Sequence, residues 1–234
     1  MPSVKRTRSL SRSRSTKLKR SKTIVPGLRQ MSVYSPIYRD IAPASIRVKM
    51  RYVQRATINQ GTYFYMRANS VYDPQHQLGG HAALGYDQYK NLYNRYNVDS
   101  AYITITASPQ YNGAAGQSIV TLSRDKDVQT PSSLANDLEQ SQSVYGVVSD
   151  ADAGPSVVSL RTNYNCKRDM LASKGGENTS AVMGSNPSHQ MLFRFGTHPL
   201  DPTQSSAYAV NVLAIVDYWV TLSEKKDLAQ STGL

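Results

Sequence analysis

The chain of 234 residues has a single cysteine, Cys166. No internal disulfide framework is open to it, and a lone thiol fits a reducing compartment. It also lacks any run of about eighteen apolar residues, the least that a transmembrane helix needs. No membrane partner is therefore expected. The N-terminus has no apolar stretch of the signal-peptide kind, so no secretion is expected. The Asn178-Thr179-Ser180 sequon is then expected to be unused. Phe and Trp are scarce, at three and one, against sixteen Tyr. A Tyr ring buries a large surface but keeps a polar tip, which suits cores and wet interfaces. It can also stack on unpaired bases.

Acid is missing from the first 39 residues, which hold eleven Lys and Arg. Subtracting these from the 27 Lys and Arg leaves sixteen, against sixteen Asp and Glu. The whole formal net charge of +11 thus resides in an N-terminal arm, and the rest of the chain is neutral. Residues 1–23 are mostly Arg, Lys, Ser and Thr, with Met1, Val4, Leu10 and Leu18 as their apolar members. Such a stretch cannot bury enough surface to offset its ordering entropy, so disorder is expected. Lys5, Arg6, Arg8, Arg12, Arg14, Lys17, Lys19, Arg20 and Lys22 are candidate phosphate contacts. Blocks of positive charge favour nucleic acid because they release its counterions. Lys17, Lys19, Arg20 and Lys22 also fit a nuclear import cluster. A transit peptide would need a fuller amphipathic face than Leu10 and Leu18 provide. A merely solubilising tail is the bland alternative. Phosphorylation of the Arg-Ser alternation from Arg8 to Ser15 would cut the arm's charge.

Pro26, Gly27, Pro36 and Pro43 mark a hinge. The expected division is an arm over residues 1–40 and a folded domain over 41–234, its first strand starting near Ala44. Ile46, Val48, Met50 and Tyr52 alternate with Arg47, Lys49 and Arg51. Period two predicts a strand with one buried face. Its other face carries Arg47, Lys49 and Arg51, with Arg55 in the same parity, as further candidate DNA contacts; the bland reading is a solvated face. Asn59-Gln60-Gly61 reads as a turn and residues 62–68 as the return strand.

Tyr86, Tyr89, Leu92, Tyr93 and Tyr96 recur at three- and four-residue steps, which predicts a short helix over 85–96. That face is expected to lie in the core. Further strands are expected over 98–107, 118–124, 143–149, 157–164, 190–196 and 208–222. The last run, with Val210, Val212, Leu213, Ile215, Val216, Trp219 and Val220, is the most apolar. It reads as a central strand covered on both faces. Residues 166–187 read as a long polar loop. Eight short strands and long loops predict an all-β double-sheet sandwich, for which a jelly roll is one protected-edge solution.

One stretch carries a resemblance. Arg67-Ala68-Asn69-Ser70-Val71-Tyr72-Asp73-Pro74, Gly80-His81, Gly85-Tyr86-Asp87-Gln88-Tyr89 and Leu92-Tyr93-Asn94-Arg95-Tyr96 follow in that order. Together they resemble the capsid proteins of circovirus-like circular single-stranded DNA viruses. The resemblance implies an eight-stranded antiparallel jelly roll, with one short helix between its second and third strands. It implies self-assembly into a small icosahedral (T=1) shell of about sixty copies, with a packaged single-stranded DNA genome. It also implies a virion location, a host nuclear import receptor as partner, and the host nucleus as the place of assembly. The host attachment factor stays unidentified.

No catalytic constellation is visible, and no cofactor or metal is expected. His76, His81, His189 and His198 lack ligand spacing. Cys166, flanked by Lys167 and Arg168, reads as inert within a polar loop. Asp125 and Asp127 read as a solvated turn, with a cation at a subunit contact as the alternative. Asp73 before Pro74 reads as a turn former. Gly79-Gly80 and Gly175-Gly176 lack the strand-helix context of a phosphate loop. Two rival classes remain: a cellular single-stranded nucleic-acid-binding module with a basic tail, and a jelly-roll metalloenzyme.

Overall fold

A computed structural model describes residues 42–77, 80–110, 116–128, 131, 133–140, 142–149, 157–171, 176, 178–201, 203 and 209–227. All of them belong to one unit, Asp40–Leu234. The arm and its nine candidate basic residues lie outside the described residues.

Two antiparallel sheets form the domain. One has β1 (Ser45–Asn59), β9 (Ala209–Lys225), β3 (Tyr93–Pro109) and β6 (Val158–Asn165) in the order β1-β9-β3-β6. A short strand, β7 (Ser180–Val182), also pairs with β3. The second has β2 (Tyr63–Arg67), β8 (Leu192–Pro199), β4 (Gln117–Asp125) and β5 (Val144–Ser149) in the order β2-β8-β4-β5. The chain crosses between the sheets repeatedly, and β4 with β5 is the consecutive pair among the described strands, so most paired strands are distant in sequence. With β7 set aside, this is the strand order of a jelly roll. The turn at Gln60 and Gly61 is present, with the Thr62 N–H donating to the Asn59 carbonyl. However, β2 is not a return partner of β1. It crosses to the other sheet and pairs with β8.

Period-two patterning builds the core. On β9 the residues Val210, Val212, Ala214, Val216, Tyr218, Val220 and Leu222 face inward and are buried. They meet Met50 and Tyr52 of β1, Ile103 and Ile105 of β3, and Val120, Leu122, Phe193 and Phe195 of the second sheet. Each fully buried side chain of this size contributes about 1.5–3 kcal/mol. The expected central position of β9 holds. Its expected double coverage does not, because Leu213, Ile215, Asp217, Trp219 and Thr221 remain partly exposed and Asn211 is exposed.

The predicted helix is shorter than its pattern. Helix α1 spans only Tyr86–Lys90. The Leu92 N–H closes the turn on the Tyr89 carbonyl, and β3 begins at Tyr93. Tyr93 and Tyr96 pair opposite Lys225 and Leu222. Ladder bonds to a long strand outweigh one more turn of a five-residue helix, which is marginal alone. Tyr93 and Tyr96 then point to opposite faces of the strand, and both are buried. Helices α2 (Leu134–Leu138) and α3 (Cys166–Asp169) were not legible in the pattern. Cys166 is a buried residue at the start of α3 rather than part of a polar loop.

Candidate nucleic-acid interface

The two sheets differ on their outer faces. On the outer face of the second sheet, α2 places Asp137 against β4 and β8. Arg194 of β8 is fully buried there. Its Nη1 donates to Asp125 Oδ2 over 2.8 Å, and its Nη2 to Asp137 Oδ1 over 2.9 Å. The Thr121 hydroxyl donates to Asp137 as well. His198 Nε2 lies 3.5 Å from Asp137 Oδ2 and 2.6 Å from the Tyr63 hydroxyl. Burial alone would raise the Asp137 carboxyl, but hydrogen bonds from His198 and Thr121 and the Arg194 charge hold it below its ordinary value. Burial pushes the Tyr63 phenol well up. This arrangement ties a helix to a sheet through a buried, charge-paired cluster.

The first sheet keeps its outer face open. Period two on β1 turns Arg47, Lys49, Arg51, Val53, Arg55 and Thr57 outward, and all six are exposed. The register sets Lys49 beside Trp219, Asp217 between Arg51 and Tyr102, and Ile215 between Val53 and Thr104. Arg161 of β6 is exposed beside Thr104. Five cations therefore share this face with Asp99 and Asp217.

Those cations are partly engaged. Arg51 holds Asp217 with two bonds, Nε to Oδ1 over 2.6 Å and Nη2 to Oδ2 over 2.8 Å. Lys49 Nζ lies 3.0 Å from the same carboxylate. The Arg51 hydrogen bonds, with those from Lys49, hold the Asp217 carboxyl below its ordinary value. Arg47 Nε lies 3.1 Å from the buried Asp99, which also accepts from Thr221. Arg47, Lys49 and Arg51 thus lie together on the face as ion-paired groups whose side chains remain about half exposed.

Sequence reasoning missed the aromatic part. Trp219 and Tyr102 sit side by side at a centroid distance of 5.1 Å and an interplanar angle of 68°. Lys49 Nζ stands 5.0 Å from the Trp219 ring centroid. Tyr102 is 49% exposed. Beyond them lies an open trough of about 490 Å³, lined by Arg55, Thr57, Thr106, Ser108, Asn211 and Leu213. Trp219 and Leu213 are six residues apart on β9, about 20 Å along an extended strand. Period two applied to β9 would have found Trp219, because it shares parity with Asp217.

The remaining candidates have local duties. His81 packs on Tyr52 and His76 on Tyr65, at ring centroids of 4.6 and 6.2 Å. Asp125 serves Arg194 and accepts from the Asp127 N–H. Asp73 pairs with Arg67 at 2.7 Å. Among the described residues, no three His, Cys, Asp or Glu side chains converge as metal ligands would.

No family model matches the chain, and no curated protein does. Solved structures similar to it include desmodium yellow mottle tymovirus, 11% identical over 95% of this chain and 100% of that one, with a TM-score of 0.44. A semi-empty virus-like particle of nodavirus from the giant freshwater prawn Macrobrachium rosenbergii is 10% identical over 92% of this chain and 100% of that one, with a TM-score of 0.46. The decameric BFDV capsid protein is 11% identical over 76% of this chain and 99% of that one, with a TM-score of 0.39.

Proposed function

We propose that the chain is a structural viral capsid protein of the circovirus-like kind. Its copies close into a small icosahedral shell, most simply of about sixty, around circular single-stranded DNA. The observation that carries this reading is the partition of charge. The first 39 residues carry the whole net +11, and residues 40–234, which hold the jelly roll, are formally neutral. Residues 1–40 act as the arm and 41–234 as the shell domain. The ordered blocks from Arg67 to Tyr96 support the circovirus-like assignment.

Lys5, Arg6, Arg8, Arg12, Arg14, Lys17, Lys19, Arg20 and Lys22 neutralise packaged phosphates without reading sequence. About sixty arms of eleven charges neutralise about 660 phosphates. A longer genome leaves phosphates for the face of Arg47, Lys49, Arg51, Arg55 and Arg161, and for bound cations. Lys17, Lys19, Arg20 and Lys22 engage a host import receptor, so the chain visits the host nucleus before reaching the virion.

The outward-facing pair of Tyr102, which is exposed, and Trp219, which is partly so, favours one rival, a single-stranded nucleic-acid-binding module with a basic tail. Size separates the two readings, since a module stays small and a shell does not. Sedimentation and imaging of the full chain, together with DNA binding before and after loss of the arm, test the proposal.

A further inference from the structure

We infer that the outer face of the β1-β9-β3-β6 sheet stacks unpaired bases on Tyr102 and Trp219, so that the domain itself selects single strands over duplex. The inference rests on the packaging reading and goes beyond its phosphate contacts. Trp219 is the chain's single tryptophan, and it stands outward on a central strand. Its neighbour Tyr102 shows about half its surface to solvent. Two adjoining rings from different strands meet nearly edge to face, an aromatic pair rather than an isolated exposed side chain. Every base has a π-face, so the ring faces of such a pair accept unpaired bases irrespective of sequence.

Phosphate partners surround the rings. Lys49 rests against Trp219, where a base would stack, and its side chain is 48% exposed. Its flexible stem lets the ammonium move to a phosphate as a base takes that place. The trough then receives the continuing strand, with Arg55 at its edge and Asn211, Thr57 and Ser108 as polar contacts. From ring to trough the track of about 20 Å matches roughly six stacked nucleotides. A duplex keeps its bases stacked on one another, so it offers this face phosphates alone.

Charge complementarity names the occupant. Arg47, Lys49, Arg51, Arg55 and Arg161 outnumber Asp99 and Asp217 on this face. A second copy docking the same face would set like charge against like.

The test uses the full chain, freed of nucleic acid at high salt and kept unassembled. It is titrated with an oligo-dT strand and with a duplex of equal phosphate number. DNA anisotropy reports binding, and emission from the single tryptophan reports the face. The expected result is quenching by oligo-dT but not by duplex. Tyr102→Ala should weaken oligo-dT binding about tenfold, leave duplex binding unchanged and keep the melting temperature. Tyr102→Phe should restore the oligo-dT affinity. Oligo-dT binding with unchanged emission and an indifferent Tyr102→Ala would overturn the stacking while leaving packaging by the arm intact. Failure of the full chain to bind either DNA would overturn packaging and stacking together. Emission that shifts with protein concentration alone would assign the face to a second copy and overturn the inference.

Discussion

Arg194 and Asp137 form an ion pair in which neither side chain meets solvent, with Nη2 and Oδ1 2.9 Å apart. The pair joins β8 to α2, which Ser133 caps by accepting from the Asn136 N–H. Removing one partner of a buried pair leaves the other charged without compensation, at a cost of about 3–5 kcal/mol. Asp137→Asn should therefore lower stability by about 3 kcal/mol in urea unfolding. A change of a few tenths would mean that Asp125 alone satisfies Arg194.

Acid should act through the same carboxylates. Asp137 and Asp217 are held below their ordinary values in the folded state. So is Asp169, where burial is outweighed by hydrogen bonds from Arg168 and Asn165 and by the Arg124 charge. A depressed folded pKa stabilises fully above the unfolded value of about 4 and is lost as pH falls through the folded value. The melting temperature should hold steady from neutrality to about pH 5 and then fall steeply. Asp137→Asn should flatten part of that fall. A profile that instead drops between about pH 6 and 7 would point to a histidine.

Tyr93 is 1% exposed, and its hydroxyl donates to the Pro43 carbonyl over 2.9 Å. Tyr93→Ala should cost about 3–5 kcal/mol, and Tyr93→Phe about 1 kcal/mol, both read by denaturant unfolding. An unchanged midpoint for the alanine variant would place the ring at an interface instead.

The tyrosines show how far the sequence could be read. Burial of Tyr86, Tyr93 and Tyr96 was legible, because apolar periodicity reports burial whichever element carries it. Element type was not, since a three-residue step fits both a helix face and two opposite faces of a strand. The eight main strands were legible from strand-like runs and turn residues, and the helix between the second and third from three- and four-residue steps. The crossing of β2 to the other sheet was not, because pairing with β8 joins residues such as Phe64 and Phe195 across 131 positions. On β9, Leu213 and Ile215 are apolar residues on the outer face, so they masked the alternation that marks Trp219 as outward. Arg194 reads as a surface residue until the covering helix is known. The arm's charge needed no fold at all.

Deleting residues 2–39 removes eleven positive charges. If all of them touch phosphate, log affinity for single strands falls with log salt at a slope of about −8. Partial contact puts the intact chain between about −4 and −8. The deleted form should stay folded and keep only the shallow slope of the sheet face. An unchanged slope would move DNA binding to that face and contradict the role proposed for the arm.

Closed assembly is the central claim, and imaging of the purified full chain by electron microscopy, paired with sedimentation across salt and pH, tests it most directly. The account predicts uniform hollow or filled particles of about sixty copies. Monomers or dimers alone under every condition would contradict it.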